Sequence, residues 1–306
     1  MKLFYLSALT LVLCVTTVLS SSPSKLPFTS KQSVVLASSE NHPFAPVPVV
    51  KNGALASLPT LSAQSVLAVD LDSGVSLYEK EPDKKILPAS TTKIITALVA
   101  LDSYPLDQVI TVGNVAVEGQ KMKLVKGEQI TVNNLLYGLL VYSANDAAEV
   151  LAAAYPGGRA GFVAAMNKKA AELHMDSSSF TNPAGLDDPN HYSTARDLVR
   201  AAWVAMQDKR FAQMVGTKSI TVTSVDGKIQ HPLTNINELL GTVDGVRGVK
   251  TGWTEAAREN LVTYIVRNDH KVLIAVTGSE DRFGETKKMI DWIFNSYSWQ
   301  EVKLPG

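Results

Sequence analysis

Apolar and polar positions first alternate at 64–80. Ser65–Asp70 and 75–78 hold Val, Leu, Ala and Tyr, and Asp72-Ser73-Gly74 between them is a turn signal, which predicts a β-hairpin. The pattern then changes. Residues 90–101, dense in Ala, Ile and Leu with Pro88 just upstream, predict a helix that opens at Ser90. Helical patterns follow at 132–142, 146–154, 161–173 and Ala195–Gln207, the first two flanking Ser143-Ala144-Asn145. A second hairpin is predicted from 220–225 and 228–231 around Asp226-Gly227. Strand-like runs return at 248–251, 260–267 and 271–278, and an amphipathic helix at 285–297 closes the chain. Strands at both ends with helices between them predict an α+β fold, in which the two ends build one antiparallel sheet and a helical subregion is inserted.

The N-terminal region reads differently. In residues 1–21 a single Lys2 precedes an apolar run, and Ser20, Ser21 and Ser22 follow, the layout of a secretory signal peptide or of a retained N-terminal anchor. Residues 22–60 are rich in Ser and Pro, with Pro43, Pro46, Pro48 and Pro59 breaking any helix. This stretch reads as an extended linker or as an arm without a role, and the packed domain is expected at 61–300. Export to the periplasm or cell wall is expected, with possible membrane association through the N-terminal segment.

Composition narrows the chemistry. The 306 residues carry 29 basic and 29 acidic side chains, so there is no net charge to attract nucleic acid. With 45% apolar and 19% charged residues, the chain is globular rather than disordered, collagenous or coiled coil. The one cysteine, Cys14, lies inside the N-terminal apolar run, which excludes disulfide frameworks, Cys-rich zinc sites, iron–sulfur clusters and thiol redox pairs. Leu13 before it is not the small residue a lipoprotein signal would want. His42, His174, His191, His231 and His270 form no i,i+4 pair, so no metal and no cofactor is expected.

Three short motifs stand in order: Ser90-Thr91-Thr92-Lys93, Ser143-Ala144-Asn145 and Lys250-Thr251-Gly252. The i,i+3 spacing places Lys93 one helical turn after Ser90, on the same face. A serine hydroxyl needs a base to act as nucleophile, and a lysine serves as one only when its pKa falls. The positive end of the helix and Lys250 are both expected to lower it. Ser143 and Asn145 at a break between helices suit a proton relay and an amide-binding group. Lys250 and Thr251 suit a carboxylate, and Gly252 lets a peptide backbone lie against the strand. Each motif also has an ordinary reading: an N-cap serine with a solvated lysine, a helix cap, and a strand end with a solvated lysine.

Taken together these residues resemble the serine-type D-alanyl-D-alanine carboxypeptidases among the low-molecular-weight penicillin-binding proteins. The resemblance runs from about 62 to 298. It includes Pro88-Ala89-Ser90-Thr91-Thr92-Lys93, Ser143-Ala144-Asn145-Asp146-Ala147-Ala148, Asn182-Pro183-x-Gly185-Leu186, His191-Tyr192-Ser193-Thr194-Ala195-Arg196-Asp197-Leu198, Gly248-Val249-Lys250-Thr251-Gly252-Trp253, and Arg282-Phe283. It implies a penicillin-binding/β-lactamase-like fold. It implies that Ser90 is acylated by a peptidoglycan stem peptide ending in D-Ala-D-Ala, or by β-lactams, with Lys93 as base and Ser143 as proton relay. Asn145 would bind the substrate amide. Lys250, Thr251 and Arg282 would hold the terminal carboxylate, and the N–H groups of Ser90 and Trp253 would form the oxyanion hole. Arg258, where a small Gly is common, and Trp253, where His or Tyr is often found, depart from the pattern. Neither the second β-rich domain nor the C-terminal amphipathic anchor of many members is expected.

Rival readings fit less well. A class A β-lactamase wants a Glu-x-x-Leu-Asn segment after the second motif, and 182–200 holds none. A phosphate loop needs Gly next to Lys, but Val249 separates Gly248 from Lys250. No Gly-x-Ser-x-Gly elbow is present. An inactive wall-binding protein with this fold would not require the full set of Ser90, Lys93, Ser143 and Lys250. His191 reads as a structural loop or helix-start residue.

Overall fold

The structure, a computed structural model, describes residues 45–51 and 58–301, all inside one compact unit, 34–306. The signal-like segment 1–21 lies outside the described residues. In chain order the strands are β1 (Val47–Val50), β2 (Ser65–Asp70), β3 (Ser76–Lys80), β4 (Val109–Thr111), β5 (Gln129–Thr131), β6 (Ser219–Thr223), β7 (Gln230–Thr234), β8 (Val246–Thr254), β9 (Arg258–Arg267), β10 (His270–Ser279) and β11 (Tyr297–Gln300). The helices are α1 (Lys93–Ser103), α2 (Val132–Leu140), α3 (Asn145–Ala153), α4 (Gly158–Glu172), α5 (Ala195–Gln207), α6 (Lys209–Val215) and α7 (Arg282–Ser296).

The central sheet has five strands in the order β3-β2-β10-β9-β8, and every neighbouring pair is antiparallel. One row of partners crosses it: Val66 opposite Val276, Val276 opposite Leu261, and Leu261 opposite Thr251. The N-terminal hairpin and the three C-terminal strands therefore make one sheet, and everything from α1 to β7 is inserted between them. β2 and β10 carry apolar side chains on both faces because helices cover both. On one face Val66, Ala68, Ile265, Ile274 and Val276 pack against Met289, Ile290 and Ile293 of α7. On the other, α5 packs against β2, β9 and β10, with α1 against α5. From Lys93 to Leu101, α1 is buried at every position, as a helix enclosed on all sides must be. Each fully buried Leu or Ile there contributes roughly 1.5–3 kcal/mol.

The structure departs from the expected elements in a few places. Ser90 does not open the helix: Ala89–Thr92 is a 3₁₀ turn, and α1 begins at Lys93. The stretch 22–60, expected as a linker, contains β1, which pairs with β11 at the far end of the chain. Val-Pro-Val-Val can do this because a proline is tolerated at a strand edge. The hairpin β4–β5 and the short α6 were not expected; both are brief elements held by their surroundings rather than by strong periodicity. The last helix starts three residues earlier than its apolar pattern, because Asp281 caps it by accepting the Gly284 N–H at 2.8 Å.

Candidate active site

The first motif folds so that Ser90 and Lys93 meet. The Ser90 turn is fixed by Thr91, whose hydroxyl donates to the Pro88 carbonyl at 2.6 Å, and by Ala89 in the left-handed region. No side chain caps this turn or α1, so Ser90 is not a helix cap. Lys93 is not a solvated lysine: it is fully buried. Its Nζ lies 2.8 Å from Ser90 Oγ, 2.7 Å from Asn145 Oδ1 and 2.7 Å from the Ala184 carbonyl oxygen. Asn145 Nδ2 donates to the Glu118 carbonyl, which fixes Oδ1 on the lysine. As an ammonium, Lys93 donates to all three oxygens. As an amine it has two N–H bonds for the two carbonyl-type acceptors, which leaves its lone pair for the Ser90 hydroxyl proton.

Burial pushes the Lys93 ammonium down to about 7, against the upward pull of Asp146 and Glu149. The expected agents were the helix end and Lys250. Burial is the largest cause. Lys250 is lowered well below its usual range, first by burial and then by Lys93 and Arg282.

Lys250 is 2% exposed, again not solvated. Its Nζ donates to Ser143 Oγ at 2.9 Å and to the Thr251 carbonyl at 3.0 Å. Ser143 sits in the left-handed region two residues before α3, whose N-cap is Ala144 with no side-chain cap bond. Neither Ser143 nor Asn145 is therefore a helix cap. Gly252 brings β8 onto the nucleophile turn. A Cβ there would stand 2.9 Å from the Pro88 carbonyl and 3.1 Å from the Ser90 and Thr91 nitrogens. The space that a bare glycine frees is filled by the Ser90 turn.

Arg282 donates from Nη1 to the Gly252 carbonyl at 3.1 Å, and its plane lies over Phe283. Thr251 Oγ1 is buried and makes no hydrogen bond among the described residues. Trp253 is 61% exposed at the rim. All nine residues singled out in the sequence thus lie on the Ser90 turn, at the start of α1, at or just before the start of α3, at the end of β8 and at the start of α7. Ser90, Lys93 and Asn145 are linked by direct contacts, as are Ser143 and Lys250, and Gly252 joins Arg282 to the Ser90 turn. Among the described residues no three or more His, Cys, Asp or Glu side chains gather as a metal site.

The family model for D-alanyl-D-alanine carboxypeptidases matches residues 52–281. This chain belongs to the D-alanyl-D-alanine carboxypeptidase family. It is 34% identical over 246 residues to D-alanyl-D-alanine carboxypeptidase DacF of Bacillus subtilis, covering 77% of this chain and 63% of that protein. It therefore spans a little under two thirds of that relative's length. It is 36% identical over 247 residues to DacB2 of Mycobacterium tuberculosis, covering 78% of this chain and 84% of that one. A D-alanyl-D-alanine endopeptidase of Escherichia coli is 33% identical over 261 residues, with 82% and 84% covered. The crystal structure of the Streptomyces K15 DD-transpeptidase superposes with a TM-score of 0.74 at 32% identity, covering 78% of this chain and 99% of that one. The α+β, penicillin-binding fold implied by the resemblance is the fold observed.

Within this family frame, Arg258, the first residue of β9, occupies a left-handed position just after the β8–β9 turn, where glycine is the easier residue. Its side chain leaves the strand and pairs with Glu280 at 3.3 Å, so it does not re-aim β8. Sequence reasoning missed the Ala184 carbonyl, because any residue supplies one. It also left His191 and Asn182 without a contact. His191 is buried, and burial pushes its imidazole down to about 4, so the ring is neutral. Nδ1 faces the Thr181 N–H at 3.0 Å and accepts it, so Nε2 donates to Thr92 Oγ1 at 2.8 Å. Asn182 Oδ1 accepts the N–H groups of Gly185 and Leu186 at 2.8 and 2.9 Å, which fixes the turn that presents Ala184.

Proposed function

We propose that this chain is a serine-type D-Ala-D-Ala carboxypeptidase. It removes the terminal D-alanine from peptidoglycan stem peptides through a Ser90 acyl-enzyme, and β-lactams acylate the same serine. The observation that carries the reading is the Lys93 amine, buried, near neutrality in pKa, and aimed at Ser90 Oγ with its other bonds already committed. Lys93 takes the Ser90 proton as Oγ attacks the carbonyl carbon between the two D-alanines. The oxyanion is held by the N–H groups of Ser90 and Trp253. The C–N bond breaks as the proton taken by Lys93 passes, through Ser143 held by Lys250, to the leaving amine, which leaves Lys93 uncharged. Water then attacks the ester with Lys93 again as base, and Ser90 recovers its proton. Asn145 holds the substrate amide. Lys250, Thr251 and Arg282 hold the terminal carboxylate, which also gives Thr251 Oγ1 the partner it lacks. These steps use side chains of the chain and no cofactor.

The apolar run behind Lys2 supports export, with the domain at 61–300 working on the wall outside the cytoplasm and the N-terminal segment as its route to the membrane. Among the described residues no helix is long and apolar enough to cross a membrane. The test is incubation with a diacyl tripeptide ending in D-Ala-D-Ala and assay of free D-alanine. Release that vanishes in Ser90→Ala is the expected result. A penicillin adduct without any D-alanine release would make the protein a binder and overturn the reading. A cross-linked dimer as second substrate tells endopeptidase action from carboxypeptidase action.

A further inference from the structure

His231 lies on β7, apart from the site residues, and none of the steps above uses it. Its side chain is 3% exposed. Nδ1 is 2.9 Å from the Met122 carbonyl oxygen, and Nε2 is 2.7 Å from Glu128 Oε1. A carbonyl only accepts, so Nδ1 carries a hydrogen. The second contact is then held by one proton shared between Nε2 and the carboxylate. The other carboxylate oxygen of Glu128 accepts the Val125 N–H at 3.0 Å. One imidazole therefore grips the connection between β4 and β5, residues 112–128, at both its middle and its end.

That connection reaches the site. The Gln120 carbonyl accepts the Asn145 N–H at 2.7 Å, and the Glu118 carbonyl accepts Asn145 Nδ2 at 2.6 Å. The Met122 and Leu124 N–H groups each donate to the Asp146 carboxylate at 3.0 Å. Gly119 is in the left-handed region, and a Cβ there would stand 2.8 Å from Asn145 Nδ2, so the backbone is pressed against that amide. An amide side chain has two ends of opposite hydrogen-bond character. The Glu118 carbonyl accepts only from the nitrogen end, which leaves the oxygen end on Lys93. Loss of the grip at Met122 would free the segment that selects this orientation.

We propose that His231 is a positioning residue for the reaction. With Glu128 it clamps segment 118–125 so that Asn145 presents its oxygen to the Lys93 base. This inference rests on Lys93 being that base. The test measures the rate at which labelled penicillin acylates Ser90 in the full chain. His231→Phe is expected to slow acylation about 10- to 100-fold, the cost of a small misplacement at a reacting centre. In an Asn145→Ala background, followed over hours, the same change is expected to slow it by less than about twofold, since the group through which it acts is gone. Glu128→Gln keeps every contact: its NH₂ donates to Nε2 and its oxygen still accepts the Val125 N–H. It is expected to stay within about twofold of wild type. Should His231→Phe fail to fold, His231→Leu, which likewise lacks the donor to the Met122 carbonyl, takes its place with the same two expectations. Equal slowing in both backgrounds would mean that His231 acts on the fold at large, and would overturn the proposal. So would wild-type acylation in the single variant. A wild-type protein that penicillin does not acylate would instead sink the carboxypeptidase reading and this inference with it.

Discussion

Lys93 and Lys250 are the same side chain, both sealed from water and each bonded to one serine of the site. Burial pushes both ammonium groups down, and there the likeness stops. The carboxylates Asp146 and Glu149 pull Lys93 back up, so it settles at about 7. The charged neighbours of Lys250 are Lys93 and Arg282, both positive, and they drive it further down. A group poised near neutrality can take and return a proton in each cycle. A group crowded by positive charge is where an arriving carboxylate is most favourable. The proposed roles of the two lysines, base and carboxylate partner, thus follow the charges around each.

The contrast can be broken most sharply at Lys93. Lys93→Ala should lower the acylation rate by about 10³-fold, within the range for a lost general base, with circular dichroism unchanged. Acylation at the wild-type rate, read by intact mass after labelled penicillin, would remove Lys93 from the role. A smaller effect is expected at the other lysine. Lys250→Ala should raise KM for a D-Ala-D-Ala peptide about tenfold, through loss of one charge-assisted bond, and lower kcat less. An unchanged KM in steady-state kinetics would assign the carboxylate to Arg282 instead. The smallest effect sharpens the electrostatic half of the comparison. Acylation should rise with pH through about 7 in the wild type, because only uncharged Lys93 accepts the serine proton. Glu149 raises the Lys93 pKa, so Glu149→Gln should move that limb to lower pH and speed acylation somewhat at acid pH. A limb that stays in place or moves up would show that Glu149 does not act on the base.

Much of this was legible in the sequence because it is local. Ser90 and Lys93 are three positions apart, so a single turn of backbone decides their meeting. β2, β9 and β10 announce themselves as apolar runs bounded by turns, and their places at the two ends of the chain dictated one shared sheet. What was not legible is carried by backbone. The Ala184 carbonyl and the Glu118 and Gln120 carbonyls have no side-chain signature. Ala89 and Ser143 adopt left-handed conformations that neither residue advertises. Gly185 did carry a signal: a Cβ there would stand 1.9 Å from the Ala89 carbonyl, a close approach that only glycine permits. At Gly252 the need for space has a backbone source as well, the nucleophile turn packed where a Cβ would stand. β1 and β11 each lack a pattern strong enough to stand alone and exist because they pair with each other.

The sheet that joins both ends of the chain also sets a timetable. In any N-to-C emergence of the chain, β2 and the Ser90 turn appear long before β8, β9 and β10, and β2 waits for β10 as its central neighbour. A nascent chain halted before Val246 would own the nucleophile and its base but not the strand that packs on them. The Ser90 turn therefore gains the strand that packs on it only when the last third of the chain is in place.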